Sequence, residues 1–423
     1  MVSLATSVGG VRLECCIYNA SGPRSGTSAA LAKVAASASG AVLAKSVTLV
    51  AQTGNPMPRY KEYSLGENHC VGSINSEGLP NPGIDYFLKT STVDEIFPGA
   101  EGGVGTPKPF FLSLSGLSLK DNLAMLDKLA DSMEAGDTTR VSAVELNLAC
   151  PNIPGKPTVA YSPSAEPKIN ITAWLGLCKK TREREEKNTY RDRYDFEQTA
   201  QVLAAVTAHR AFHNDRRVPL GVKLAPYFDV PHYKAVAAIL NQYAEGGVLR
   251  FVTTMNTIGN ALIVDAEGEM AAIAPKAGFG GLGGGWVKPV ALANVRQLRQ
   301  LLDERLDVVG VGGVRTGRDA FEHILCGASA VQVGTQHWTE GAPCFTRIAN
   351  ELEQLMKDKG YTSLDDFRGK LREYDKTRNK RAPKTADGGK SKQGDKANVL
   401  VSPQVLLPTI ALLLAIIGGL LLQ

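Results

Sequence analysis

The stretch LNLACPNIPGKP, residues 146–157, places Cys150 between Asn147 and Asn152, with a proline directly behind it. A thiolate can take a proton from carbon, and flanking amides offer donors and acceptors in fixed geometry. A lone cysteine is by default a small core residue, so its chemistry depends on its neighbours. Lys45 and Lys223 close the apolar runs AVLAK and PLGVK. A buried ammonium is costly without a partner, so each needs an anion, a structural carboxylate or an electron-rich ring. The turns VGVGGVRTG (309–317) and VQVGT (331–335) bring the N–H groups of Gly312, Gly313, Gly334 and Thr335 to where phosphate oxygens could meet them. GFGGLGGG (278–285) adds a close-approaching backbone, but it is not GxGxxG after a first strand, so no Rossmann site is indicated. Two lysines with a phosphate-type site favour a phosphorylated planar cofactor such as FMN. Asn75, Asn147, Asn152 and Asn256 suit a small planar molecule with alternating carbonyl and N–H groups, such as a pyrimidine, although each also has an ordinary reading as a turn residue.

Something must hold these residues together. Eight short apolar runs rich in β-branched residues recur at 16–20, 41–45, 110–114, 143–147, 219–223, 249–254, 307–312 and 330–334. Between them, Leu123, Leu126, Leu129 and Met133 repeat at helical spacing, as do Leu292, Val295, Leu298 and Leu302. Strands buried on both faces and alternating with helices imply a parallel sheet, and eight such units imply an α/β fold of the (β/α)₈ TIM-barrel type. Such barrels carry their chemistry at the C-terminal strand ends, where Ala20, Ser21, Lys45, Ser46, Asn147, Lys223, Asn256, Gly312 and Gly334 fall.

Composition narrows the class. The chain of 423 residues is 43% hydrophobic and 21% charged, as a globular protein is. Its seven cysteines form no CxxC pair, and its six histidines show no metal spacing, so no metal is expected. MVSLATSVGG lacks the features of a secretory leader, which favours a reducing compartment. Of the net charge of +5, residues 376–398 alone supply eight Lys/Arg against two Asp, so the remainder is near neutral and no nucleic-acid partner is expected. The expected organisation is a barrel over 1–372, with surface insertions near 89–108 and 162–194. A basic flexible linker (373–398) and a hydrophobic tail (399–423) follow. The uncharged run from Val405 to Leu422 would span about 27 Å as a helix. The tail is therefore expected to anchor the barrel, from the cytosolic side, to an intracellular membrane.

The segments TGNPMPRY, SINSEGLPNPGIDYFL, LSLSGLS, ELNLACPNIPGKP, GVKLAPYFD, NTIGNAL, GFGGLGGGWVKPVALANV and GASAVQVGT resemble dihydroorotate dehydrogenase, in order, over about residues 3–372. The cysteine at position 150 is similar to class 1, and INSEGLPN with NPMPRY to class 1A, the homodimeric, fumarate-using type. The resemblance implies oxidation of dihydroorotate to orotate in pyrimidine (UMP) biosynthesis, with Cys150 as general base and hydride transfer to FMN. It implies that Lys45, Asn75, Gly78, Leu79, Asn147, Asn152, Asn256 and Thr257 hold the substrate. Ala20, Ser21, Lys45, Ser46, Asn147, Lys223, Met255, Gly283, Gly312, Gly313, Gly334 and Thr335 would hold the cofactor. A membrane quinone is the alternative acceptor, and a non-catalytic, membrane-tethered FMN scaffold the alternative role. Three positions depart from the pattern. Ala149 and Thr257 each stand where serine is usual, and Glu77 where methionine is usual. Glu77 is expected to point outward, since an inward carboxylate would repel that of orotate.

Overall fold

The computed structural model describes residues 2–65, 70–99, 108–135, 140–149, 194–214 and 218–374. Eight strands form one parallel sheet: β1 (Ile17–Asn19), β2 (Val42–Leu43), β3 (Phe110–Leu114), β4 (Val141–Asn147), β5 (Leu220–Lys223), β6 (Leu249–Thr254), β7 (Asp307–Val311) and β8 (Ala330–Val333). Their order is β1-β8-β7-β6-β5-β4-β3-β2, a nearly closed barrel open only between β1 and β2. A side chain bridges that seam: Asn19 Nδ2 donates to Leu43 O at 2.6 Å, and Leu43 N donates to Asn19 Oδ1 at 2.9 Å. All eight apolar runs read from the sequence correspond to these strands.

Helices α1 (Ser28–Ala35), α2 (Leu119–Glu134), α3 (Phe196–Thr207), α4 (Val230–Ala244), α5 (Lys288–Leu301), α6 (Gly317–Cys326) and α7 (Pro343–Lys359) surround the sheet. Their starts are set locally. Ser118 and Asp229 accept from the backbone N–H three residues on, and Thr316 with Asp319 forms a reciprocal capping box. The stripe read on α2 turns Leu126, Leu129 and Met133 into the core between helices and strands.

Alternation along the strands fills the barrel in layers. At its closed end Phe111, Ala143, Phe251, Val309 and Ala330 pack with Val8 and Leu13 of an N-terminal hairpin (Thr6–Val8 with Val11–Leu13). Above them lies a buried polar layer of Tyr18, Glu145, Thr253 and Gln332. Over the opposite end runs a four-stranded antiparallel sheet, in the order Ile258–Leu262, Phe279–Gly284, Cys70–Asn75, Tyr60–Leu65. The sequence hides this sheet because its strand Phe279–Gly284 carries four glycines, where β propensity is low. The glycines are steric requirements: a Cβ on Gly281 would lie 2.1 Å from Thr257 Oγ1, and one on Gly72 would lie 2.7 Å from the Trp286 ring.

Two expectations are corrected. The expected surface insertion near 89–108 is not wholly on the surface, because Thr90–Ile96 is a helix that buries Val93 and Ile96 against the core. Tail anchoring to an intracellular membrane is not supported: among the described residues no helix is long and apolar enough to cross a membrane. The linker (beyond Tyr374), residues 399–423 and the insertion at 162–193 lie outside the described residues.

Candidate active site

A cleft opens between the C-terminal strand ends and the antiparallel sheet, enclosing about 1120 Å³ counted out to its solvent mouth. Of the residues expected to hold substrate, Lys45, Asn75, Gly78, Leu79, Asn147, Asn256 and Thr257 line it. So do Ala20, Ser21, Ser46, Lys223, Met255, Gly283, Gly312, Gly313, Gly334 and Thr335 from the cofactor set. Cys150 and Asn152 lie outside the described residues. Ala149, one residue before Cys150, is buried, and its N–H donates to Asn147 Oδ1 at 3.1 Å.

Strand register brings the central groups together. Asn147 at the end of β4 pairs with Lys223 at the end of β5. Asn147 Nδ2 donates to Ser46 Oγ at 3.2 Å, and its Oδ1 accepts from Asn256 Nδ2 at 3.2 Å. Two of the four amides are thus linked in one chain of bonds, which fixes which edges face the cleft. Lys45 Nζ lies 3.4 Å from Ser21 O. Asn75 reaches the cleft from the antiparallel sheet, where its Nδ2 donates to Gly281 O at 3.1 Å.

The far end of the cleft is built from the turns after β7 and β8. Gly312 and Gly313 have φ of +128° and +76°, conformations that glycine adopts without strain. His323 on α6 holds this turn from behind. Its Nε2 lies 3.1 Å from Gly312 O, and since a carbonyl only accepts, that nitrogen carries the proton. Complete burial lowers its pKa to about 4, so the ring stays neutral and keeps that donor.

Several cleft residues gave no sequence signal. Arg315 follows the Gly312–Gly313 turn, and its Nε is buried with no partner among the described residues. Gln332 lines the cleft although fully buried. The rings of Tyr60 and Trp338 meet at a tilt of 38°, 4.3 Å between centroids, with Arg24 5.1 Å above the Trp338 ring. Glu77 corrects the expectation made for it: it is buried and lines the cleft, with Oε2 3.2 Å from Arg59 Nε. The ion pair offsets the repulsion on which the outward expectation rested.

Comparison with known proteins agrees with this architecture. The family model described as dihydroorotate dehydrogenase matches residues 3–356. The chain belongs to the dihydroorotate dehydrogenase family. It is 43% identical over 375 residues to the probable dihydroorotate dehydrogenase A (fumarate) of Streptococcus pneumoniae, covering 89% of this chain and 100% of that one. It is 42% identical to the dihydroorotate dehydrogenase (fumarate) of Kluyveromyces lactis and to the A enzyme (fumarate) of Lactococcus lactis subsp. cremoris. In both cases 84% of this chain and 94% of the relative are covered.

As a dihydroorotate dehydrogenase the chain is an FMN-dependent oxidoreductase, and its cleft fits that cofactor. A Cβ on Gly334 would meet only Ala20 Cβ, at 3.8 Å, so open space remains where glycine stands. The unpartnered Arg315 Nε suits an anion at the same end. The lysines and amides of β2, β4 and β5 suit a polar ring system.

Proposed function

We propose that this protein oxidises (S)-dihydroorotate to orotate and uses fumarate as the final acceptor, as the names of its relatives state for them. The observation that carries the reading is the single cleft in which every described residue of the expected set meets, in a chain of this family. FMN, when bound, supplies the acceptor for the hydride that leaves C6. The protein's part is to hold the pyrimidine and remove the C5 proton as the C5=C6 bond forms. Asn75, Asn147 and Asn256, with Thr257, present amide and hydroxyl groups to the ring edges, Asn152 is assigned the same task, and Gly78 and Leu79 close the loop beside Asn75. Lys45 and Lys223 place positive charge where negative charge develops. Cys150 is assigned as the general base, a role that needs only a modest lowering of a thiol pKa near ~8.5. The Arg59–Glu77 pair keeps the mouth from repelling an anionic substrate.

The same reading makes the protein a homodimer. Support comes from the insertion after β6, which exposes Leu262, Val264, Met270 and Phe279 on neighbouring strands.

The test is anaerobic. Dihydroorotate added to the purified yellow protein should bleach the flavin absorbance near ~450 nm, and fumarate should restore it. A flavin that stays oxidised would overturn the donor reaction. One that is bleached but not recovered with fumarate would overturn the acceptor.

A further inference from the structure

Gln332 is completely buried on β8 yet forms part of the cleft lining. Its Nε2 is committed to the barrel interior, donating to Glu145 Oε2 at 2.7 Å and to Tyr18 OH at 3.2 Å. Glu145 is itself fixed, since its Oε2 also accepts from Thr253 Oγ1 at 2.7 Å. Turning the amide over would set its oxygen against the carboxylate, so the amide orientation is determined. That leaves Gln332 Oε1 as a buried acceptor without a partner among the described residues. Buried acceptors are rarely left unmade, and one in a ligand cleft points to a donor on the ligand.

Its place along the cleft selects the donor. Gln332 stands level with Val311 in the β7–β8 register. Gly312–Gly313 follow Val311 directly, and Gly334–Thr335 lie two residues beyond Gln332. A phosphate held between those turns leaves the carbon chain next to it above Gln332. We propose that Gln332 is a cofactor-recognition residue whose Oε1 accepts a hydrogen bond from a ribityl hydroxyl of FMN, with Glu145 as the positioning residue that fixes the amide. This rests on FMN occupying the cleft.

The experiment measures dissociation constants of the stripped protein for FMN, riboflavin and lumiflavin by quenching of flavin fluorescence. Riboflavin lacks the phosphate; lumiflavin lacks the ribityl chain but keeps the ring. Gln332→Met should weaken FMN and riboflavin by a common factor of about five to ten, while lumiflavin binds unchanged. If the methionine variant does not fold, Gln332→Asn, whose oxygen is drawn back by one methylene, should show the same pattern. An equal loss on lumiflavin would overturn the ribityl assignment in favour of a ring N–H. Unchanged FMN and riboflavin affinities would overturn the role of Gln332. Failure of the unsubstituted protein to bind FMN or riboflavin would instead remove the cofactor reading beneath it.

Discussion

Glu77, on the wall of a cleft that must admit anions, is paired with the half-buried Arg59 beside it. At an effective dielectric constant near ~20, an unneutralised carboxylate about 8 Å from a bound anion costs about 2 kcal/mol, and about twice that for a dianion. Arg59→Gln should therefore raise the KM for dihydroorotate by roughly tenfold or more, and that for fumarate further. Steady-state kinetics with each substrate varied in turn would show it, and equal, unchanged KM values would refute the neutralising role. Cys150 permits a sharper test. Cys150→Ala should keep FMN bound but slow flavin reduction by dihydroorotate at least ~100-fold, the usual contribution of a placed base. Stopped-flow absorbance reads both properties, and near-normal reduction would remove the assignment.

At the scale of the element, the seam between β1 and β2 depends on one amide. Replacing Asn19 by Ala removes two bonds to Leu43 and leaves a buried N–H and C=O unpaired, which should cost about 2–4 kcal/mol. Urea unfolding at neutral pH measures this, and a loss below about 1 kcal/mol would mean that the strands pair without the side chain. Gly221 on β5 is set by the same interior: a Cβ there would lie 2.1 Å from Phe251 Cε2. The eight barrel strands were legible because runs such as FFLSL and DVVGV are buried on both faces and leave no alternation to misread. The antiparallel sheet was not legible, since its glycines answer to Thr257 and Trp286, contacts that exist only once the chain is folded. The site divides in the same way. Lys45, Asn147, Lys223 and the two glycine turns announce themselves at strand ends. Glu77 was misjudged because its partner Arg59 lies 18 residues earlier. Gln332 reads as one more residue of a buried strand, and only its bond to Glu145 on a distant strand distinguishes it.

For the whole molecule, the balance of buried titratable groups sets the response to acid. Burial lowers the pKa of both His323 and His337 to about 4, from the ordinary 6.5, and shifts His209 in the same direction. Above about pH 6.5 these rings are neutral in the folded and the unfolded chain alike and leave stability unchanged. As pH falls below that value the unfolded chain takes up protons that the native protein excludes, so stability declines until the native pKa near 4 is reached. At pH 5 the difference for His323 amounts to about 2 kcal/mol, and His337 adds to it. Below pH 4 the carboxylates of Asp319 and Glu340, whose pKa values are depressed by Lys288 and Arg347 respectively, lose their native pairing and steepen the decline. Urea midpoints between pH 7 and pH 4.5 should thus fall with a slope that reports uptake of about two protons on unfolding near pH 5. His323→Gln should remove about one of them while keeping an amide donor for Gly312 O. Midpoints that do not change over this range would show that these rings are protonated in the native protein. The Gly312–Gly313 turn would then lose the neutral imidazole inferred to hold it.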